Sequence, residues 1–157
     1  MTNNIKVRKL EKEDIEKILP LRVGLQIYDY EGNLGIEKEE LEEKTKYFLE
    51  QNLNQDLYMF GTFVGDELVS ICGLIIFKYF PDAKDLSCKV GYIASVFTKE
   101  EHRQKGYQRM VFEKCLDFAK ELGIVRYKLS TKNPNAMKMY ASMGFKDDIN
   151  AKKMEIL

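Results

Sequence analysis

The sequence predicts a single α+β domain built around one sheet, and three observations carry that reading. The chain has 157 residues, the size of one domain, so residues 1–157 are read as one unit. Its hydrophobic period changes repeatedly between the two-residue repeat of a strand and the 3.6-residue repeat of a helix. Gly65-Asp66-Glu67 separates two strand-like stretches, a hairpin signature that makes at least one strand pair antiparallel.

Ile5 to Leu10 alternates and reads as a first strand. Glu11 to about Tyr30 carries helical spacing at Ile15, Ile18, Leu19, Val23 and Ile27, with Pro20 expected to kink or split it. Two glycines in Glu31–Gly35 make a turn, and Glu37 to Leu53 is a second helix with Leu41, Thr45, Phe48, Leu49 and Leu53 inward. Leu57–Val64 and Leu68–Phe77 form the hairpin, and Lys78–Ser87 is a loop. Lys89 to Thr98 is apolar on both of its alternating rows, Val90-Tyr92-Ala94-Val96-Thr98 and Gly91-Ile93-Ser95-Phe97, which predicts a central strand covered on both faces. Tyr107 to Leu122 is an amphipathic helix stopped by Gly123. Val125–Thr131 reads as a strand, and Asn133-Pro134 as an N-cap with proline at the first helical position. That last helix ends near Ser142, and Phe145–Leu157 is expected to close the sheet with a further strand.

Composition excludes several classes of protein. Twenty-five Lys and Arg balance twenty-five Asp and Glu, so the excess of positive charge that nucleic-acid binding leans on is missing. The longest nearly apolar run, Ile71–Phe77, is far short of the ~20 residues of a membrane span, and Met1–Asn4 is polar with no apolar stretch behind it. Cys72, Cys88 and Cys115 are odd in number and far apart, and His102 is the one histidine. A disulfide framework and a metal site are both poor readings, and a cytoplasmic location is expected.

Chemistry concentrates in Val96–Gln108, where a central strand ends, a basic polar turn follows and a long helix begins. The first N–H groups of a helix lack internal partners and carry the positive end of its dipole, so they attract anions. Arg103 and Lys105 add positive charge there. Taken alone, the segment is equally a turn shaped by Gly106 with cations at the surface. The absence of Gly-x-x-x-x-Gly-Lys-Ser/Thr makes an unrelated nucleotide-binding protein a poor reading.

Two motifs in order decide the matter: Arg103-x-x-Gly106-x-Gln108, and Asn133-x-x-Ala136-x-x-x-Tyr140 followed by Met143-Gly144-Phe145. Together they resemble the GNAT superfamily of acyl-CoA N-acyltransferases. The resemblance implies a mixed, mostly antiparallel sheet with a splayed parallel strand pair and helices on both faces. It implies an N-acetyltransferase that moves an acetyl group from acetyl-CoA to a primary amine by direct attack. The cofactor would lie along Val96, Phe97 and Thr98, with its pyrophosphate in the turn formed by Arg103, Gln104, Lys105, Gly106, Tyr107 and Gln108, and with Asn133 reaching it near the last helix. Tyr140, two helical turns beyond Asn133, would donate a proton or hydrogen bond to the departing thiolate. A core aromatic is the other reading of Tyr140. Gln108 departs from the pattern, since Gly or Ala is usual there, and either points away from the phosphates or weakens binding.

The general base stays open among Tyr92, Ser95, Glu100, Glu101 and His102. Tyr28, Asp29, Tyr30 and Glu31 could attract a cationic amine, or could simply cap and pack the end of the first helix. The acceptor, a small-molecule or protein amine, is not legible, and a homodimer is compatible with the resemblance. The alternative is a catalytically inactive CoA-binding or regulatory module that keeps the fold.

Overall fold

The computed structural model describes residues 4–157, and the first three residues of the polar N-terminal stretch lie outside them. Strands β1 (Ile5–Lys9), β2 (Leu57–Val64), β3 (Glu67–Lys78), β4 (Lys89–Thr98) and β5 (Tyr127–Lys128) form one sheet in that spatial order. Every neighbouring pair is antiparallel except β4–β5, which is parallel. Helices α1 (Ile15–Asp29) and α2 (Lys38–Asn52) cover one face, and α3 (Tyr107–Glu121) and α4 (Pro134–Ser142) the other. The fold class implied by the resemblance is therefore present.

The sheet separates two apolar clusters. One joins Ile15, Ile18 and Leu19 of α1 and Leu49 of α2 to Leu57, Met59 and Ile71 of the hairpin. The other joins Val111, Phe112, Cys115 and Ala119 of α3 and Tyr140 of α4 to Phe60, Cys72, Leu74 and Ile93. Phe60 and Phe112 are almost entirely buried, and burying side chains of this size contributes about 1.5–3 kcal/mol each. The start of α1 is tied to β1 by a two-point ion pair in which Arg8 donates to both oxygens of Asp14 at 2.8 Å. Asp14 also accepts from the Glu11 N–H at 2.8 Å.

Four expectations need correction. Pro20 does not split α1, which runs from Ile15 to Asp29. The carbonyl it deprives of a partner belongs to Glu16, which is exposed with Pro20 on the solvent side. The strand expected over Val125–Thr131 is paired only at Tyr127 and Lys128, because the chain diverges from β4 beyond that point. Phe145–Leu157 contains no strand. Phe145 packs into the α3–α4 cluster with its ring centroid 5.8 Å from that of Phe112, but half of the twelve residues after it are charged, and Ile149 and Ile156 are exposed. A strand there would have no apolar row to bury.

The fourth correction lies in β4, whose two rows do not keep their alternation. Ala94 stands opposite Gly73 and Phe97 opposite Ile71, so Ser95 and Val96 together face Cys72. Ser95 takes a left-handed φ of +56°. This is a β-bulge, and the extra residue reverses the phase of everything after it. Ile93 and Val96 consequently join the α3–α4 cluster, whereas Phe97 packs against the α1–α2 cluster.

Candidate active site

A cleft of about 280 Å³ opens where β4 and β5 part. The two strands are held together at Gly91–Tyr127 and Tyr92–Lys128 and separate toward Thr98 and Thr131, both of which line the opening. The bulge decides which backbone groups face it. Before the bulge, the Gly91 N–H donates to the Arg126 carbonyl at 3.0 Å, so odd-numbered residues present their backbone to β5. After it, the Lys99 N–H donates toward β3, to Val69 at 2.9 Å. Strand alternation then turns the backbone groups of Val96 and Thr98 to the open side. An extended ligand lying in the cleft would meet them as a strand edge.

The far end of the cleft is the N-terminus of α3. Gly106 precedes the helix at φ +81°, with no side chain to cap it, and the first helical bond runs from the Met110 N–H to the Gly106 carbonyl at 3.1 Å. The N–H groups of Tyr107, Gln108 and Arg109 therefore have no partner within the helix, and all three residues line the cleft. A Cβ on Gly106 would meet nothing within 4 Å, so the backbone here is bare. Gln104 is also left-handed, at φ +62°, and such residues give a loop the concave path of an anion-binding nest. Thr62, buried in β2, fixes this helix end to the sheet by donating to the Tyr107 carbonyl at 3.1 Å.

The structure brings Val96, Phe97, Thr98, Arg103, Gln104, Gly106, Tyr107, Gln108, Asn133 and Tyr140 together around this one cleft. Lys105 is exposed and stands outside its wall. Arg103 is engaged on the protein itself: its Nε donates to the Thr98 carbonyl at 3.0 Å, and its guanidinium lies 5.4 Å from the centre of the Phe97 ring and 5.9 Å from that of Tyr28. It thus braces the end of the strand. Asn133 caps α4, its Oδ1 accepting from the Asn135 N–H at 2.9 Å.

Tyr140 meets both descriptions offered by the sequence. Its ring is 5% exposed and packs against Phe112 at 5.1 Å, while the residue lines the cleft. Burial pushes its hydroxyl well above the ordinary range, and the nearby Gln108 amide acts in the opposite direction. The Gln108 side chain is turned onto the protein. It sits between Tyr140 and Thr98, whose Oγ1 donates to the Gln108 Oε1 at 3.4 Å and pairs with the Ser70 Oγ at 2.7 Å. A polar chain thus runs from β3 through β4 and α3 toward the α4 hydroxyl.

The candidate bases are scattered. The Tyr92 hydroxyl pairs with Ser130 at 2.9 Å, away from the cleft. Glu100 and Glu101 are exposed and outside its wall. His102 lines the cleft near the start of α3, with Nε2 3.4 Å from Glu67 and its buried Nδ1 unpartnered. Ligand atoms of Glu67, Glu101 and His102 lie within 4.8 Å of one another, a proximity not legible in the sequence. Of the acidic helix end, Tyr28 and Asp29 line the cleft, and Tyr30 and Glu31 do not.

Ser95 opens onto a second cleft, of about 360 Å³, between α1, α2 and the sheet. Arg22 is its most unusual wall, and sequence reasoning passed over it. The available signal was its position four residues after Ile18 and three after Leu19, which puts a cation on the inward stripe of α1.

The chain matches the model of the acetyltransferase (GNAT) family over residues 26–145. It belongs to that family. A predicted acetyltransferase from Clostridium acetobutylicum, solved with acetyl-CoA, superposes with a TM-score of 0.78 at 21% identity, over 97% of this chain and 96% of that one. A GCN5-related N-acetyltransferase from Ralstonia eutropha gives 0.78 at 18% identity, over 97% and 99%. Glucosamine-6-phosphate N-acetyltransferase from Arabidopsis thaliana gives 0.69 at 20% identity, over 98% of each chain. No match was found among curated proteins. No helix among the described residues is long and apolar enough to cross a membrane.

Proposed function

We propose that this GNAT-family chain transfers an acetyl group from acetyl-CoA to a primary amine. One observation carries the reading: a single cleft joins a strand edge at Val96 and Thr98 that no other strand among the described residues covers, a bare helix N-terminus at Gly106–Arg109 and a buried tyrosine. Acetyl-CoA would supply a reactive thioester on an extended amide-bearing arm that ends in a pyrophosphate. The residues present suit such a ligand at three points. Backbone groups of Val96 and Thr98 pair with amides, the orphan N–H groups of α3 accept negative charge, and Gly106 leaves room for close approach.

The Val96 N–H is placed to polarise a carbonyl and to stabilise the negative charge that builds on its oxygen when an amine attacks. Tyr140 holds its proton, because burial disfavours the phenolate. It can therefore donate to a departing thiolate, whose ordinary pKa is about 8.5. The incoming amine must arrive unprotonated or lose its proton to solvent or to a water chain.

The test is a calorimetric titration of acetyl-CoA, with ATP as control. Micromolar binding of acetyl-CoA alone supports the reading. Failure to bind at millimolar concentration overturns it.

A further inference from the structure

The second cleft holds two cations, Arg22 and Lys44, and no carboxylate. Arg22 is partly desolvated, and burial pulls its guanidinium below the ordinary value while the charge of Asp29 acts in the opposite direction. A guanidinium nevertheless stays charged at neutral pH. None of the ion pairs among the described residues engages it. With the Gln26 amide oriented to present its oxygen, Gln26 accepts from the two terminal nitrogens at 2.9 and 3.3 Å. That neutral partner leaves Arg22 without a directly paired carboxylate, and a half-buried charge is costly to hold without one.

Adjoining residues line the two clefts. Ala94 and Ser95 line the second, and the next residues, Val96, Phe97 and Thr98, line the first. On α1 the same order holds, with Ile18 and Arg22 on the second cleft and Leu25 and Tyr28 on the first. Gly24 keeps α1 close to β4 at the boundary, since a Cβ there would come within 3.1 Å of the Phe97 ring. A molecule in the second cleft therefore presents one end at the bulge, beside the Val96 backbone, and lays the other along Arg22. Between those ends the walls are apolar, with Phe48, Leu49, Met59 and Ile75.

We propose that the second cleft is the acceptor site and that it selects amines carrying a carboxylate on an apolar body, with Arg22 binding the carboxylate. This rests on the acetyl-transfer reading above. A planar guanidinium meets a carboxylate with two parallel hydrogen bonds, which gives orientation as well as affinity. A carboxylate also neutralises the repulsion that a bare ammonium would meet from Arg22 and Lys44. Two cations and an oily wall reject a polyamine for the same reason.

The experiment compares leucine and phenylalanine with leucinamide and phenylalaninamide, and with the corresponding amines that lack the carboxyl group. Thiol release from acetyl-CoA gives kcat/KM for wild type, Arg22→Gln and Arg22→Lys. The same compounds are titrated calorimetrically into the protein with and without acetyl-CoA. The acids are expected to exceed their amides by about tenfold or more, as for a lost charge-assisted bond. Arg22→Gln should reduce that ratio to about threefold or less and Arg22→Lys should restore part of it, with acetyl-CoA affinity unchanged in both. Equal or better use of the neutral compounds by wild type overturns the inference, as does an acid preference that survives Arg22→Gln. If no compound turns over, acid-over-amide binding that depends on Arg22 still supports it, and its absence overturns it. Loss of acetyl-CoA binding in the wild type refutes the transferase reading separately, because the acid titration is scored without acetyl-CoA as well.

Discussion

Tyr140→Phe removes one oxygen and keeps the ring, so it separates the two roles of this residue. The ring packs against Phe112 at 5.1 Å and Phe145 at 5.9 Å, and those contacts survive the change. The fold should lose only the contribution of the hydroxyl, about 0.5–1.5 kcal/mol. For a domain of this length that lowers Tm by roughly 1–6 °C. Turnover should lose far more. A positioned proton donor contributes about 10²–10⁴-fold, equivalent to ~2.7–5.4 kcal/mol of barrier. The assay follows thiol release at saturating acetyl-CoA and acceptor, with acetyl-CoA affinity measured by calorimetry and stability by thermal melt. The expected result is a kcat lowered by about 100-fold or more with affinity within about threefold of wild type. Because burial raises the Tyr140 pKa, the wild type should also show no loss of activity from tyrosine ionisation below about pH 10. A Tyr140→Phe kcat within about threefold of wild type would refute the donor role and leave Tyr140 as a core aromatic.

Other perturbations separate the remaining parts of the argument. Gly106→Ala puts a methyl where no protein atom lies within 4 Å, but on a left-handed backbone, so the fold should lose about 1–2 kcal/mol. Acetyl-CoA affinity, measured by calorimetry, should fall by about tenfold or more, and an unchanged Kd would remove this turn from the anion site. Asp14→Asn breaks the two-point pair with Arg8, for a cost of about 1–2 kcal/mol at pH 7 in urea melts. The Arg8 hydrogen bonds hold the Asp14 carboxyl below its usual value, so its contribution is complete above about pH 4–5 and disappears as pH falls through the lowered pKa; a gap between wild type and variant that persists unchanged at pH 2 would contradict this. Cys72 and Cys115 are fully buried and Cys88 is exposed, and burial raises the Cys72 thiol further. A thiol reagent should label one cysteine in the folded protein and all three in urea, whereas rapid labelling of two or more in the folded state would be inconsistent with the packing.

The helices flanking the cleft were legible because local chemistry dictates them. Asn133 caps α4 through its own side chain, with Pro134 at the first position. The apolar stripe of α3 ends at Gly123, whose φ is +79°. Where the sequence misled, the deciding partner was remote. A strand exists through its neighbour, and the residues after Phe145 find none among the described residues. β5 shows the same thing from the other side. The residues from Val125 onward have strand character, yet pairing stops at Lys128, where the two strands part around the cleft.

The bulge in β4 is the feature on which the site depends, and no residue type announces it. Serine is not a residue that favours a left-handed backbone, so the cost of φ +56° at Ser95 is met by long-range packing rather than by local preference. Read with unbroken alternation, β4 would place Ile93 and Phe97 on one face and turn the backbone of Ser95 and Phe97 to the cleft. With one extra residue, Phe97 moves to the α1 side, where Gly24 receives it, and Val96 and Thr98 become the exposed edge. The same shift makes Ser95 part of one cleft and Val96 part of the other. The boundary between the two clefts thus lies at the irregularity of the strand, and only the pairing with β3 sets it.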